Sequence, residues 1–401
     1  MKNILKSVKT LFAIILVIWA IALIGCGSPG KSKPPHFSRA PQNGDSYSNF
    51  VVLYGDPHFH TNLSDGDESP DFAIRYARDV AKYDWCCVTD HSESFEMVEF
   101  VDLPYYRSLP DKYDQPGKFC VLFGYEWSSL IYGHHNVYSV DNDIPMLPSN
   151  DPNYENIDDL WNALDNFDVI TIPHHPMIWS DKLWWKHTNE KMDRCVEFYS
   201  KWGLSLYDGN PRPLSSPRPQ NGVLIALVTQ GLHYGLMAGT DSHASRPGSI
   251  LKESRQPGAL PYARPGITGV WATSFTREAI YEALKNRHCY GMTGTRVSLK
   301  FAVDNNIMGS EIEASDPPKI SFDISSEIPI TRIQLQKIYV KKLTTIASYE
   351  PGALQYSGDF TDDEFAGDSA YLIMVDLDNT DMALSTPVWV KKVSVSGDSV
   401  I

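Results

Sequence analysis

The chain has 401 residues, a formal charge of −14 and 42% hydrophobic residues. That length suits one large domain with a smaller companion, and the apolar content suffices for a sizeable core. The acid excess excludes a non-specific nucleic-acid binder, which needs a basic face, but leaves room for a small anionic substrate held through bound cations.

Lys2, Lys6 and Lys9 precede an apolar run over residues 11–24 that ends at Leu23-Ile24-Gly25-Cys26. A basic start, a short apolar stretch and a small residue before the cut describe a secretory signal over residues 1–25. The run is shorter than the ~20 residues that comfortably span a bilayer, so an uncleaved anchor is the weaker alternative. Leu-Ile-Gly-Cys resembles a bacterial lipobox. The resemblance implies lipid attachment to Cys26 and a place in the bacterial cell envelope, periplasmic or outer-membrane associated, with the membrane reached through the acyl chains alone. Residues 26–48, with Pro34, Pro35, Pro41 and several Gly and Ser, read as a flexible tether.

From Phe50 the pattern changes to short apolar runs, each finishing in polar groups. Residues 50–54 lead to Asp56 and His58, and 85–88 to Asp90 and His91. Residues 119–123 lead to Glu126, 169–172 to His174 and His175, 195–199 to Ser200, and 236–239 to Asp241 and His243. Such runs fit strands buried on both faces. Helical patterns over residues 69–82, 157–166 and 276–286 lie between them, with Ser69 and Thr276 as caps. Alternating strands and helices predict an α/β barrel or layered sheet over residues 49–298. Beyond residue 298 there is no histidine, and β-rich pieces such as 297–303, 319–324, 333–340, 371–375 and 388–395 are separated by acidic turns. Residues 299–401 therefore read as a small C-terminal β domain, sandwich-like. Cys86, Cys87, Cys120 and Cys195 fit no zinc-knuckle or disulfide spacing and read as small buried hydrophobes.

The polar ends of the strands carry the chemistry. His58 and His60 are two residues apart, so an extended segment puts both imidazoles on one side, and Asp241 with His243 repeats that spacing. His91, the His134-His135 pair, the His174-His175 pair and Asp65 add further donors, and Glu126 between Tyr125 and Trp127 needs a partner or a metal to offset its desolvation. Any one of these alone is more readily a hydrogen-bonded structural residue, and Asp56 and Asp90 read equally well as turn caps. Two such pairs plus several separate donors, all at strand ends, do not arise from packing. Mixed nitrogen and oxygen donors suit Zn, Mn or Fe better than Ca or Mg.

The set resembles the PHP (polymerase and histidinol phosphatase) superfamily. The matching stretches are His58-Phe59-His60-Thr61 with Ser64-Asp65-Gly66, Val88-Thr89-Asp90-His91, Gly124-Tyr125-Glu126, His135-Asn136-Val137-Tyr138, His174-His175-Pro176 and Gly239-Thr240-Asp241-Ser242-His243. Gly269-Val270-Trp271-Ala272, Thr276-Arg277-Glu278-Ala279-Ile280 and Arg287-His288-Cys289-Tyr290 look like an exported subgroup of that superfamily catalogued as a domain of unknown function. The resemblance implies a distorted (β/α)7 barrel with two or three divalent ions. It places His58, His60, Glu126 and Asp241 at the first ion, Glu126, His135 and His175 at the second, and Asp65, His91 and His243 at the third. His134 and His174, as neighbours, are alternative ligands.

The expected activity is a phosphoesterase in which metal-bound hydroxide attacks a small-molecule or polymer-derived phosphoester, with Glu126, Asp241 and His243 in the catalytic set. Arg246 offers a fork for the phosphate. Trp184, Trp185, Trp202 and Tyr207 offer a stacking platform or simple packing, and Glu197 either supports the metal site or is a paired strand residue. The rivals are a hydrolase of amide or sulfate bonds on the same metals and a non-catalytic metal-containing binding lipoprotein.

Overall fold

A computed structural model describes residues 46–94, 102–178, 184–251 and 264–394. The expected signal, Cys26 and nearly all of the tether lie outside the described residues, as does the Trp184 side chain. Among the described residues no helix is long and apolar enough to cross a membrane.

Strand β1 (Val51–Asp56) pairs in parallel with β2 (Trp85–Cys87), and β2 with β3 (Cys120–Ser129). β4 (Gly133–Ser139) folds back antiparallel on β3 and is antiparallel to β5 (Ile170–His174). β5 is parallel to β6 (Cys195–Ser200), which carries the two-residue β7 (Gly203–Leu204) as a hairpin and pairs in parallel with β8 (Gly235–Ala238). On the far side β9 (Ile267–Ala272) is antiparallel to both β1 and β10 (Cys289–Met292). β8 meets β9 through one hydroxyl: Ala238 N–H donates to Thr268 Oγ1 at 3.0 Å, and that hydroxyl donates to the Ala238 carbonyl at 2.7 Å. The strands thereby close into a barrel.

The barrel departs from a simple strand–helix alternation. The β3–β4 hairpin has no helix, and β9 runs against its neighbours. Gly133, with left-handed backbone, and Ser129, whose hydroxyl accepts from the Ile131 and Tyr132 N–H groups, let the chain reverse directly, which short apolar runs in the sequence do not announce. Helices fill four of the connections: α1 (Pro70–Arg75), α2 (Asp102–Tyr113), α3 (Ile157–Leu164) and α4 (Arg277–Lys285). Ser69, Asn156 and Thr276 cap α1, α3 and α4 by accepting backbone N–H bonds. The pattern expected to continue to residue 82 loosens into a π turn at Tyr76–Val80. α3 buries Ile157, Leu160, Trp161 and Leu164 as one stripe.

The C-terminal strands are β11 (Val297–Val303), β12 (Asn306–Ile307), β13 (Glu311–Ala314), β14 (Lys319–Tyr339), β15 (Lys342–Tyr349), β16 (Ala353–Thr361), β17 (Ser369–Leu377), β18 (Met382–Ser385) and β19 (Val388–Lys392). β14 is the hub: it pairs with β11, β15, β16 and β17, slipping register between Ser325 and Ile330, where Pro329 cannot donate to a ladder. β18 pairs with β17 on one side and with β10 of the barrel on the other, so the sheet is continuous between the two regions. Cys86, Cys87, Cys120, Cys195 and Cys289 are all free and buried.

Candidate metal centre

The strand ends deliver their side chains to one mouth because the loops that follow are tied together by backbone. Asp241 N–H donates to the His58 carbonyl at 2.7 Å, His60 N–H to the Ser242 carbonyl at 3.0 Å, and Glu126 N–H to the Asp90 carbonyl at 3.1 Å. Asp56 accepts from Thr240 N–H and its hydroxyl, at 2.9 and 2.7 Å, and Asp90 accepts from Thr61 and Ser64. Both aspartates are therefore loop clamps, in line with their turn-capping reading. His175 and Asp241 hold left-handed backbone, φ 34° and 51°, in the residues just past their strands. Such conformations persist where surrounding bonds impose them.

Two carboxylates organise the site. Glu126 Oε2 lies 3.1 Å from His58 Nε2 and 3.2 Å from His60 Nε2. Its Oε1 lies 2.6 Å from His134 Nδ1, 3.3 Å from His174 Nε2 and 3.6 Å from His91 Nδ1. Asp241 Oδ1 lies 3.2 Å from His60 Nε2 and 3.4 Å from His58 Nε2, and its Oδ2 lies 3.4 Å from His175 Nδ1. At the open side, Asp65 is 3.2 Å from His243 Nε2 and 3.6 Å from His91 Nε2. Asp65 is 53% exposed whereas Glu126 and Asp241 are buried, so this side faces solvent.

Three groups, two of them sharing His60, have the compactness of metal sites: His58, His60, Glu126 and Asp241; His134, His174 and His175; and His60, Asp65, His91 and His243. The first has the membership expected from the sequence. The third adds His60 to the expected three. The second differs from the expected set: it holds the alternative His134 and His174 beside His175, without His135 or Glu126. His135, expected as a ligand, sits on the opposite face of β4, its ring edge-on to Trp127 and Trp161 at 6.0 and 6.3 Å. Side chains alternate along a strand, so turning His134 toward Glu126 turns His135 away. His174 joins His175 because the left-handed residue after β5 brings both rings to the same side, their centroids 4.4 Å apart.

The donor set fits a cation. Burial works against charge on all these groups. At Glu126 and Asp241 the surrounding imidazoles outweigh it and hold the carboxyls well below their usual range. At His58 the carboxylates of Asp241 and Glu197 outweigh it, and His60, beside Asp241 and Glu126, is held at about 10. Burial prevails at His174 and His175, the latter lowered to about 4. Both ring nitrogens of His174 and Nδ1 of His60 are buried without a hydrogen bond. Buried polar atoms in that condition are what a coordinated ion would satisfy.

The remaining expected residues separate. The Arg246 guanidinium bonds Glu68 at 3.0 Å and the Ala244 carbonyl at 3.2 Å, over the Phe72 ring. Trp202, at the tip of the β6–β7 hairpin, stands 5.9 Å from His243 and 6.2 Å from His175. Trp185 packs instead on Tyr234 at 5.9 Å, and Tyr207 is exposed. Ser128, not singled out in the sequence, bridges His91 Nδ1 at 2.7 Å and Glu126 Oε1 at 2.8 Å. Its position two residues beyond Glu126 on the same strand face was the available signal.

The family model described as "Protein of unknown function (DUF3604)" matches residues 104–199 and 253–326. The chain is similar to an uncharacterized protein of Chlamydia pneumoniae, 23% identical over 84% of this chain and 57% of that protein, and to an uncharacterized protein of Chlamydia trachomatis, 25% identical over 58% and 40%. It thus spans about half the length of the curated relatives it matches. Among solved structures it is similar to a two-domain protein containing a predicted PHP-like metal-dependent phosphoesterase from Bacteroides vulgatus, with 13% identity, a TM-score of 0.44, and coverage of 89% of this chain and 100% of that one. A lesion-specific endonuclease from Pyrococcus furiosus is similar at 13% identity and a TM-score of 0.35, over 59% of this chain and 56% of that one. The description of the family model agrees with the domain of unknown function that the sequence motifs resemble.

Proposed function

We propose that the protein is a metal-dependent hydrolase of phosphoesters, with a di- or trinuclear site on a PHP-type barrel and a distinct β domain from about residue 299. The observation that carries this reading is the convergence of seven imidazoles and three carboxylates in three adjoining groups around Glu126 and Asp241. His58, His60, Glu126 and Asp241 would hold a first ion. His134, His174 and His175, with Glu126 alongside, would hold a second. His60, Asp65, His91 and His243 would hold a third. Bound Zn, Mn or Fe would lower the pKa of a coordinated water and neutralise charge developing on a phosphoryl oxygen.

The chain's own residues do the rest. The buried carboxylates of Glu126 and Asp241 balance the cations, and the clamps at Asp56 and Asp90 hold the donor loops in place before substrate arrives. Asp65, His91 and His243 form the solvent-facing edge where a phosphoester would enter, with the Trp202 indole beside it. Lipidation at Cys26 would tether this activity to the cell envelope, and the acidic body suits a small phosphoester better than a nucleic acid.

Elemental analysis of the purified protein, beside Mn-supplemented assays on an aryl phosphate monoester and diester, tests the proposal. Two or three equivalents of metal with metal-dependent turnover is the expected result. Metal without turnover on either ester would move the reading to another bond type, and no metal even after supplementation would overturn it.

A further inference from the structure

The barrel interior beneath the first group holds a buried carboxylate that belongs to none of the three. Glu197 lies on β6, beside His174 of β5 and Met237 of β8, and is 1% exposed. Its Oε2 and Oε1 lie 3.2 and 3.4 Å from His58 Nδ1. The other ring nitrogen of His58, Nε2, faces Glu126 at 3.1 Å and Asp241 at 3.4 Å. One imidazole therefore has a carboxylate on each edge. Among the described residues, His58 is the one side chain that hydrogen-bonds Glu197.

A second feature protects this contact. A Cβ added at Gly239 would lie 2.4 Å from Glu197 Oε2 and 2.8 Å from His58 Cβ. Gly239 does not have left-handed backbone, so clearance, and not conformational freedom, is what glycine supplies there. Any larger residue would push Glu197 off the ring.

We propose that Glu197 is a positioning residue for the ion of the first group, an inference that rests on the metal-centre reading. A neutral imidazole donates from one nitrogen and offers a lone pair at the other. By accepting from Nδ1–H, Glu197 fixes the His58 tautomer that presents the Nε2 lone pair toward Glu126 and Asp241, and it locks the ring plane.

The full chain is titrated with Co2+ alone, following the visible bands whose intensity reports coordination geometry, in the parent, Glu197→Ala and Glu197→Gln. Melting curves in chelator show which variants fold, and Glu197→Met, similar in volume but lacking an acceptor oxygen, replaces the alanine if that variant does not. Loss of the acceptor is expected to weaken Co2+ uptake by about 10–100-fold and to alter the bands. The glutamine variant, which keeps an acceptor oxygen, is expected to stay close to the parent. An acceptor-less variant that titrates like the parent overturns the proposal, as does a glutamine variant that falls as far as the others, since buried charge and not an accepted bond would then be the requirement. A parent that takes up no Co2+ fails differently: it overturns the metal-centre reading itself.

Discussion

His134 Nδ1 lies 2.6 Å from Glu126 Oε1, while the next residue along the strand, His135, turns its ring to Trp161. Replacing each in turn separates ligand from core. His134→Ala is expected to lose about one metal equivalent and to reduce turnover at least as much as an outer-shell change would, about 10–100-fold. His135→Ala is expected to keep its metal and to lose about 1–3 kcal/mol of stability through packing. Metal content and urea melts of the two variants check this, and the opposite pattern would restore His135 as the ligand.

Arg212 and Asp381 form a buried ion pair, Nη2 to Oδ1 at 2.7 Å, between the segment after β7 and the turn before β18. Arg212 also donates to the Thr293 carbonyl at 2.8 Å, and Asp381 accepts from Thr295 and Asn379. Removing Arg212 leaves the buried Asp381 carboxylate with the partly exposed Arg264, at 3.6 Å, as its cationic neighbour. Arg212→Met is expected to destabilise the fold by about 3–5 kcal/mol, measured by chemical denaturation. A loss under 1 kcal/mol would mean that the pair is solvated.

Burial pushes the Asp193 carboxyl up to about 7, against the hydroxyl of Thr171, which donates to it. The folded-state value lies above the unfolded one, so the folded chain keeps a proton that the unfolded chain has released. Its contribution is full below about pH 4 and is lost as pH rises through about 7. In chelator, the melting temperature of the parent is expected to fall between pH 5 and pH 8, and Asp193→Asn, which keeps an acceptor for Thr171, is expected to flatten that fall. Identical pH slopes in the two proteins would count against a protonated Asp193.

Trp202 flanks His175 and His243 at the open side of the cluster. If it stacks on the organic part of the substrate, Trp202→Ala is expected to raise KM for an aryl phosphate by about threefold to tenfold, the worth of one aromatic contact, with little change in kcat. The effect is expected to shrink for an alkyl phosphate. Equal losses on both substrates would assign the indole to packing.

The candidate site was largely legible before folding because its donors recur at the ends of apolar runs. His58, His60, Glu126, His175, Asp241 and His243 could be picked out from residue type and spacing, and they converge. His135 could not be resolved from His134, because two adjacent histidines differ only in which face of the strand they occupy, and that is set by register. The β3–β4 hairpin fixes it by placing Glu126 opposite Asn136 and Ser128 opposite His134. Arg246 was read from proximity to Asp241 and His243, but a neighbour in sequence need not face the same space, and Glu68 engages it.

By itself the sequence determined strands β1, β2, β3, β5, β6 and β8 of the barrel, helices α1, α3 and α4, the chemical type of the donors and the strand ends that carry them. These follow from local pattern: apolar runs bury, Ser69 and Thr276 cap, and histidines two residues apart share a face of an extended chain. Tertiary structure alone decided that His134 turns inward and His135 away while His174 and His175 both turn inward, that β18 joins the C-terminal strands to the barrel through β10, and that Glu197 stands behind His58 in the space left by Gly239. The Glu197–His58 contact joins residues 139 positions apart, and no local pattern encodes it, because only ladder register and barrel closure bring such residues within hydrogen-bond distance.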